Sequence, residues 1–217
     1  MNKLIIGNKN YSSWSLRPWL LLKVFDLPFE EIKIPLYQSG SQQRILAYSA
    51  AGKVPVYISD GISIWDSLAI CETIAEQHPE YYCWPENSKD RAWARSISNE
   101  MHSGFSAIRN SLPMNCKKHI VLSLSDVELL QEIARICEIW QQCRDNFAAQ
   151  GEFLFGAFTI ADAMFAPVVL RFNTYGIAVG ESQRQYMQAI LKLPQIQDWI
   201  AEAMAEKEVI AQSEIEL

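Results

Sequence analysis

Asn10–Leu22 reads N-Y-S-S-W-S-L-R-P-W-L-L-L and follows a short apolar run, Lys3–Gly7 (KLIIG). The run has the length and the terminal glycine of a buried strand. From Ser15 to Phe25 the apolar residues Leu16, Trp19, Leu20, Leu22 and Val24 give a broad helical face. Pro18 sits inside the first turn, where its missing N–H costs least. Three serines therefore gather where a strand hands over to a helix. The start of a helix presents unpaired N–H groups and a partial positive charge, which stabilise an anion. A hydroxyl there can also donate to an anion. A thiolate is an apt guest, because hydrogen bonds to the charged form lower a thiol's pKa. Capping alone would equally account for the serines. Residues 1–77 contain no histidine, which argues against a local Ser–His pair.

Further along, Phe29–Pro35 alternates like a second strand, and Ser41–Tyr48 makes a short helical turn closed by Ala51-Gly52. Val54–Ser59 and Ile62–Trp65 flank Asp60-Gly61, the signature of a hairpin. Ser67–His78 is amphipathic and stops at Pro79. The order β-α-β-α-β-β-α predicts an α/β sheet covered by helices. Beyond Trp84-Pro85 the strand signals end. Asp90–Ser111 reads as one long helix. A second begins at the capping box Ser125-Asp-Val-Glu128, with Leu130, Ile133, Ile136, Cys137, Trp140 and Phe147 at helical spacing and Gly151 beyond its end. Thr159-Ile-Ala-Asp162 is another such box, and Gln183–Leu191 and Pro194–Ala205 complete an all-helical half. The boundary falls in Tyr82–Ser88, which gives an α/β domain at 1–81 and an all-α domain at 89–217.

The chain has 217 residues, 49% of them hydrophobic, enough for a sizeable core. Its net charge is −6, shared unevenly: 7 basic and 8 acidic residues in 1–80 (net −1), 12 and 17 in 81–217 (net −5). A nucleic-acid binder would carry a basic excess, so that role is disfavoured. The five cysteines, at 71, 83, 116, 137 and 143, show no metal or redox spacing, and no metal is expected. No apolar run approaches the roughly 18 residues of a membrane span, and no apolar leader opens the chain, so a cytoplasmic protein without a membrane partner is expected.

A second constellation completes the first. Gly52-Lys-Val-Pro55 precedes the hairpin, and Trp65-Asp66-Ser67 closes it just before a helix. If Val54-Pro55 is cis, Val54 offers its backbone N–H and C=O to an extended peptide. Asp66 and Ser67 offer a hydroxyl and helix-start N–H groups to a carboxylate. Together they form a receptor for something peptide-like and anionic at one end.

Taken in order, Ser12-Ser-Trp-Ser-Leu-Arg17, Gly52–Pro55 with its hairpin, Asp66-Ser67-Leu-Ala-Ile70 and Thr159-Ile-Ala-Asp162 resemble the cytosolic glutathione transferases over nearly the whole chain. The S-S-x-S-x-R pattern is most similar to the zeta class, which includes maleylacetoacetate isomerase; Trp14 stands where that class commonly has cysteine. The resemblance implies a thioredoxin-like N-terminal domain, an all-α C-terminal domain and a homodimer. It also implies glutathione as co-substrate and a small electrophilic partner molecule in the cleft between the domains. It assigns the sulfur contact to Ser12, with Ser13 second. Val54, beside Pro55, would pair with the cysteinyl unit, Asp66 and Ser67 would hold the γ-glutamyl end, and Lys53 the glycine carboxylate. Tyr11 and Trp14 border the sulfur position. Met101, Phe105 and Arg109, four apart on the long helix, are candidates for the electrophile pocket, with Arg171 and Tyr175 as contacts for a polar or acidic substrate. The reaction implied is attack of a serine-stabilised thiolate on an electrophile, a detoxifying transfer. A glutathione-dependent isomerase and a non-catalytic scaffold are the alternatives.

Overall fold

The computed structural model describes residues 1–215. Four strands form one sheet: β1 (Lys3–Ile6), β2 (Glu30–Lys33), β3 (Val56–Ser59) and β4 (Ile62–Ile64), in the order β2-β1-β3-β4. β1 runs parallel to β2, pairing Leu4 with Glu31, and antiparallel to β3, pairing Leu4 with Tyr57. β3 and β4 are the expected hairpin, turned at Asp60 and Gly61, both in the left-handed region. Three helices accompany the sheet: α1 (Ser13–Val24), α2 (Ser41–Leu46) and α3 (Ser67–Gln77). This is the thioredoxin-like α/β domain.

The rest is helical: α4 (Ser88–Ser103), α5 (Ser106–Ser111), α6 (Val127–Phe147), α7 (Ile160–Thr174), α8 (Glu181–Lys192) and α9 (Pro194–Ala205). α7 is buried along almost its whole length and packs on α1, α4 and α8, so the largest apolar cluster runs unbroken from one domain into the other. A smaller cluster, Ile5, Ile34, Ile45 and Val56, fills the opposite face of the sheet under α2.

The structure departs from the sequence pattern in two places. The predicted helix Asp90–Ser111 is broken: Gly104 ends α4, Phe105 takes a left-handed conformation (φ 61°), and α5 starts afresh. Arg109 stabilises the break by donating to the carbonyls of Met101, His102 and Gly104, which the turn would otherwise leave unpaired. The four-residue spacing of Met101, Phe105 and Arg109 therefore does not describe one helical face. The cap of α6 is Asp126 rather than Ser125; its carboxylate accepts from the Leu129 amide at 2.8 Å. A charged acceptor holds a helix N–H more strongly than a hydroxyl does. At the start of this helix Leu129 faces inward and Leu130 is exposed.

The capping box of α7 forms as read: Asp162 accepts from the Thr159 amide at 2.8 Å and from its hydroxyl at 3.1 Å. Thr159→Ala is expected to cost about 1 kcal/mol in denaturant unfolding.

Candidate active site

The strand-to-helix turn after β1 is held by hydroxyls. The Gly7 amide donates to Ser15 Oγ at 3.1 Å, and Ser12 Oγ donates to Ser15 Oγ at 2.7 Å. Ser12 is the N-cap of α1, with the Ser15 amide 3.4 Å from its oxygen. The helix thus starts two residues earlier than its apolar pattern suggests, and Ser12 sits at its mouth. Ser12, Tyr11 and Trp14 line a cavity of about 650 Å³ together with Lys53, Val54 and Gln42. An adjoining cavity of about 250 Å³ shares Trp14, Lys53 and Val54 and adds Pro55, Asp66 and Ser67. The two form one groove along the edge of α1, of a size that suits a small ligand.

Local structure explains each contribution. Gly52 adopts φ +61°, where a side chain would be strained, and its carbonyl accepts from Gln42. That turn delivers Lys53 and Val54 to the groove. Val54-Pro55 is cis, and the Val54 backbone lies ahead of β3, outside the ladder. Asp66 caps α3: its Oδ1 accepts from the amides of Leu68 at 3.0 Å and Ala69 at 3.3 Å. The Ser67 hydroxyl is buried and has no hydrogen-bond partner among the described residues, an orphan that invites a ligand oxygen.

Ser13 turns another way. Its hydroxyl accepts from Arg171 of α7 at 3.2 Å. Met101 and Phe105 are buried in the main core. Arg109, besides bracing the α4–α5 break, lies 4.6 Å from the Trp14 ring centre, and Arg17 lies 4.3 Å from it. Tyr175 is buried and donates to the Pro113 carbonyl at 2.8 Å.

The electrostatics are one-sided. Arg17 is fully buried, and its Nε and Nη1 have no partner among the described residues. Burial, then the nearby Arg109 and Arg171, lower its pKa to about 9. Arg171 is lowered to about 10 by burial and by Arg109. Three guanidiniums thus stand behind Ser13 and Trp14, adding to the positive start of α1. The sequence marked Arg17, Arg109 and Arg171 singly; nothing in their spacing announced that they meet.

Sequence reasoning also missed the C-terminal segment. Ile210 and Ser213 line the larger cavity. Glu206 accepts from the amides of Lys9 (2.8 Å) and Asn10 (3.1 Å), and Glu214 accepts from the Tyr11 hydroxyl at 2.6 Å and from Asn115 at 3.0 Å. These residues follow the last helix without periodicity, so no local pattern marked them.

A helix start carrying a hydroxyl, beside a groove with free backbone and an α3 cap, on a β2-β1-β3-β4 sheet backed by an all-α domain, defines the glutathione transferase fold. Comparison with known proteins agrees. Residues 11–77 match the family described as glutathione S-transferase, N-terminal domain. A stretch of 98 residues is 35% identical to the probable maleylacetoacetate isomerase of Caenorhabditis elegans, and covers 45% of each chain. Another of 101 residues is 35% identical to the maleylacetoacetate isomerase of Rattus norvegicus, covering 45% of this chain and 46% of that one. The matched stretch thus spans less than half the length of these relatives. Among solved structures, a glutathione transferase homolog from Burkholderia with bound glutathione superposes at TM-score 0.71 and 20% identity, covering 95% of this chain and 99% of the other. A diazinon-metabolizing glutathione S-transferase of the silkworm Bombyx mori gives 0.73 at 15% identity, with 94% and 98% covered. The chain thus has the glutathione transferase fold, and its residues 11–77 match that family's N-terminal domain.

Proposed function

We propose that the protein is a glutathione-dependent enzyme that ionises the tripeptide's thiol at the start of α1 and delivers the thiolate to an electrophilic carbon. The observation that carries this reading is Ser12, the cap of α1, lining the same groove as Val54, Asp66 and Ser67. In this reading glutathione lies extended across Val54. Its γ-glutamyl carboxylate takes the orphan Ser67 hydroxyl and the Ser67 amide, which the Asp66 cap leaves free, and its ammonium faces Asp66. Lys53 is placed for the glycine carboxylate. The sulfur then falls beside Ser12, whose hydroxyl rotates from Ser15 to donate to it. The helix start, Ser12 and the three guanidiniums all favour the anion, which makes the thiol a nucleophile near neutral pH. Attack forms the carbon–sulfur bond, and the leaving group departs with its electron pair. Tyr11 and Trp14 border the reacting sulfur, with Ser13 behind them held by Arg171. The decisive experiment is Ser12→Ala, assayed for both turnover and glutathione binding.

A second reading is favoured by the arginines and by the two isomerase relatives. Maleylacetoacetate carries two carboxylates, and an acidic electrophile would be drawn to Arg109 and Arg171. The same thiolate would add to a double bond and be expelled again after rotation. Free thiol measured during turnover separates the two: it falls one for one with product in conjugation and stays constant in isomerisation. Glutathione binding without turnover across a panel of neutral and acidic electrophiles would instead mark a scaffold.

Two further proposals accompany this reading. The exposed Ile62 of β4 and the exposed Trp65 that follows it suit the interface of a homodimer, which sedimentation would reveal. Cytoplasmic residence is supported by five cysteines that are all unpaired; no helix among the described residues is long and apolar enough to cross a membrane.

A further inference from the structure

The groove has a contact from the helical domain that the mechanism above does not use. His102 stands in the last turn of α4, and its Nε2 lies 2.7 Å from Asp66 Oδ2. Its Nδ1 is buried and has no hydrogen-bond partner among the described residues. A neutral imidazole donates from one nitrogen only, whereas the protonated ring would bury a second N–H with no acceptor. The surroundings therefore fit the neutral ring, its hydrogen on Nε2 and aimed at Asp66. The Trp14 ring meets it edge-on, with centres 5.3 Å apart, and fixes its plane. Asp66 is thus held through both oxygens, Oδ1 by the start of α3 and Oδ2 by His102. Its side chain remains 47% exposed in the groove wall, and carboxylate oxygens keep lone pairs enough for an ammonium.

We propose that His102 is a positioning residue: as a neutral donor it holds the Asp66 carboxylate in place for the α-ammonium of the γ-glutamyl end of glutathione. The proposal rests on the glutathione reading above and adds to it a constraint imposed by one domain on the ligand site of the other. It acts on binding of the ammonium end and leaves the sulfur, at the far side of Trp14, untouched.

A pH dependence follows. The charged groups facing His102 are Asp66 ahead of α3, Arg17 of α1 and Arg109 of α5. Burial lowers its pKa below the ordinary histidine value, both guanidiniums push the same way, and Asp66 opposes them. On acidification below that range the ring takes a proton and pairs with Asp66 as a cation. It then competes with the ligand's ammonium for the same carboxylate, so glutathione affinity falls.

The test is calorimetric titration of the full chain with glutathione and with N-glutaryl-cysteinylglycine, the analogue lacking the α-amino group. His102→Ala is expected to weaken glutathione about tenfold, the loss of one hydrogen bond to a charged group, and to leave the analogue's affinity unchanged. His102→Gln keeps a donor without a titrating ring. It should restore most of the affinity, and as the pH is lowered through and below the ordinary histidine range it should lose less glutathione affinity than wild type does. The thiolate absorbance of bound glutathione should titrate alike in all three proteins. Equal weakening of glutathione and analogue by His102→Ala would overturn the proposal, as would an acid loss in His102→Gln equal to that of wild type. If wild type binds no glutathione, the glutathione reading itself falls and takes this proposal with it.

Discussion

Asp162→Ala lowers stability by about 3–5 kcal/mol and the unfolding midpoint by roughly 10 °C. The Asp162 carboxyl is wholly buried and accepts three hydrogen bonds, from the amides of Leu154 (3.0 Å) and Thr159 (2.8 Å) and from the Thr159 hydroxyl (3.1 Å). Alanine would strand two buried N–H groups, each costing about 1–3 kcal/mol, and remove the cap of α7, the helix on which both domains pack. The effect depends on pH in a definite sense. Burial raises the Asp162 pKa from the usual carboxylate range to about 6, its hydrogen bonds pulling the other way without prevailing. The folded chain therefore binds this proton more tightly than the unfolded chain does. The group's contribution is flat above about pH 6 and grows as pH falls from there toward the ordinary carboxylate value. The gap between wild type and Asp162→Ala should widen by about 1 kcal/mol between pH 7 and pH 5 in denaturant unfolding. A gap that narrows on acidification would show that the hydrogen bonds, not burial, dominate.

Ser12→Ala is expected to reduce kcat/KM by about 10- to 100-fold, the cost of one hydrogen bond to a charged atom in a shielded site. Glutathione binding should change by less than about twofold, because the peptide backbone and both carboxylates keep their partners. The same experiment has a spectroscopic arm. The pKa of the bound thiol, read from thiolate absorbance, should rise by about 1–2 units, since each unit corresponds to roughly 1.4 kcal/mol. Ser12→Thr keeps the hydroxyl and should recover most of the rate. Ser13→Ala separates the two serines. Its hydroxyl faces Arg171, so its loss should leave the thiol pKa in place. A rate loss in Ser13→Ala with an unaltered Ser12→Ala would exchange their roles.

Local chemistry made much of this legible in the sequence. Strands, the Asp60-Gly61 hairpin and the Thr159–Asp162 box announce themselves because their causes lie within a few residues. The groove was legible for the same reason: Ser12, Val54, Asp66 and Ser67 each sit at the end of an element, where the chain must turn. What escaped has its cause in distant partners. The break at Phe105 needs Arg109 to answer the loose carbonyls, and no periodicity encodes that. His102 carries no local signal either; its significance comes from Asp66, far earlier in the chain. Glu206 and Glu214 stand in an aperiodic tail, and their significance comes from Lys9, Asn10 and Tyr11, some two hundred positions earlier.

Lys9 is almost entirely shielded from solvent, yet its ammonium touches Glu31 of the sheet at 2.9 Å and Glu202 of α9 at 2.6 Å, with the rings of Trp19 and Trp199 at 4.8 and 5.3 Å. The Trp199 indole N–H donates to the Lys9 carbonyl at 2.8 Å. Half of that cage belongs to each domain. Chimeras that trade the sheet domain for a relative's would leave a cation in a half-built enclosure, unless α9 and the tail travel with it. The cage accordingly ties the sheet domain to the last helix, a link that cuts across the domain boundary drawn along the chain.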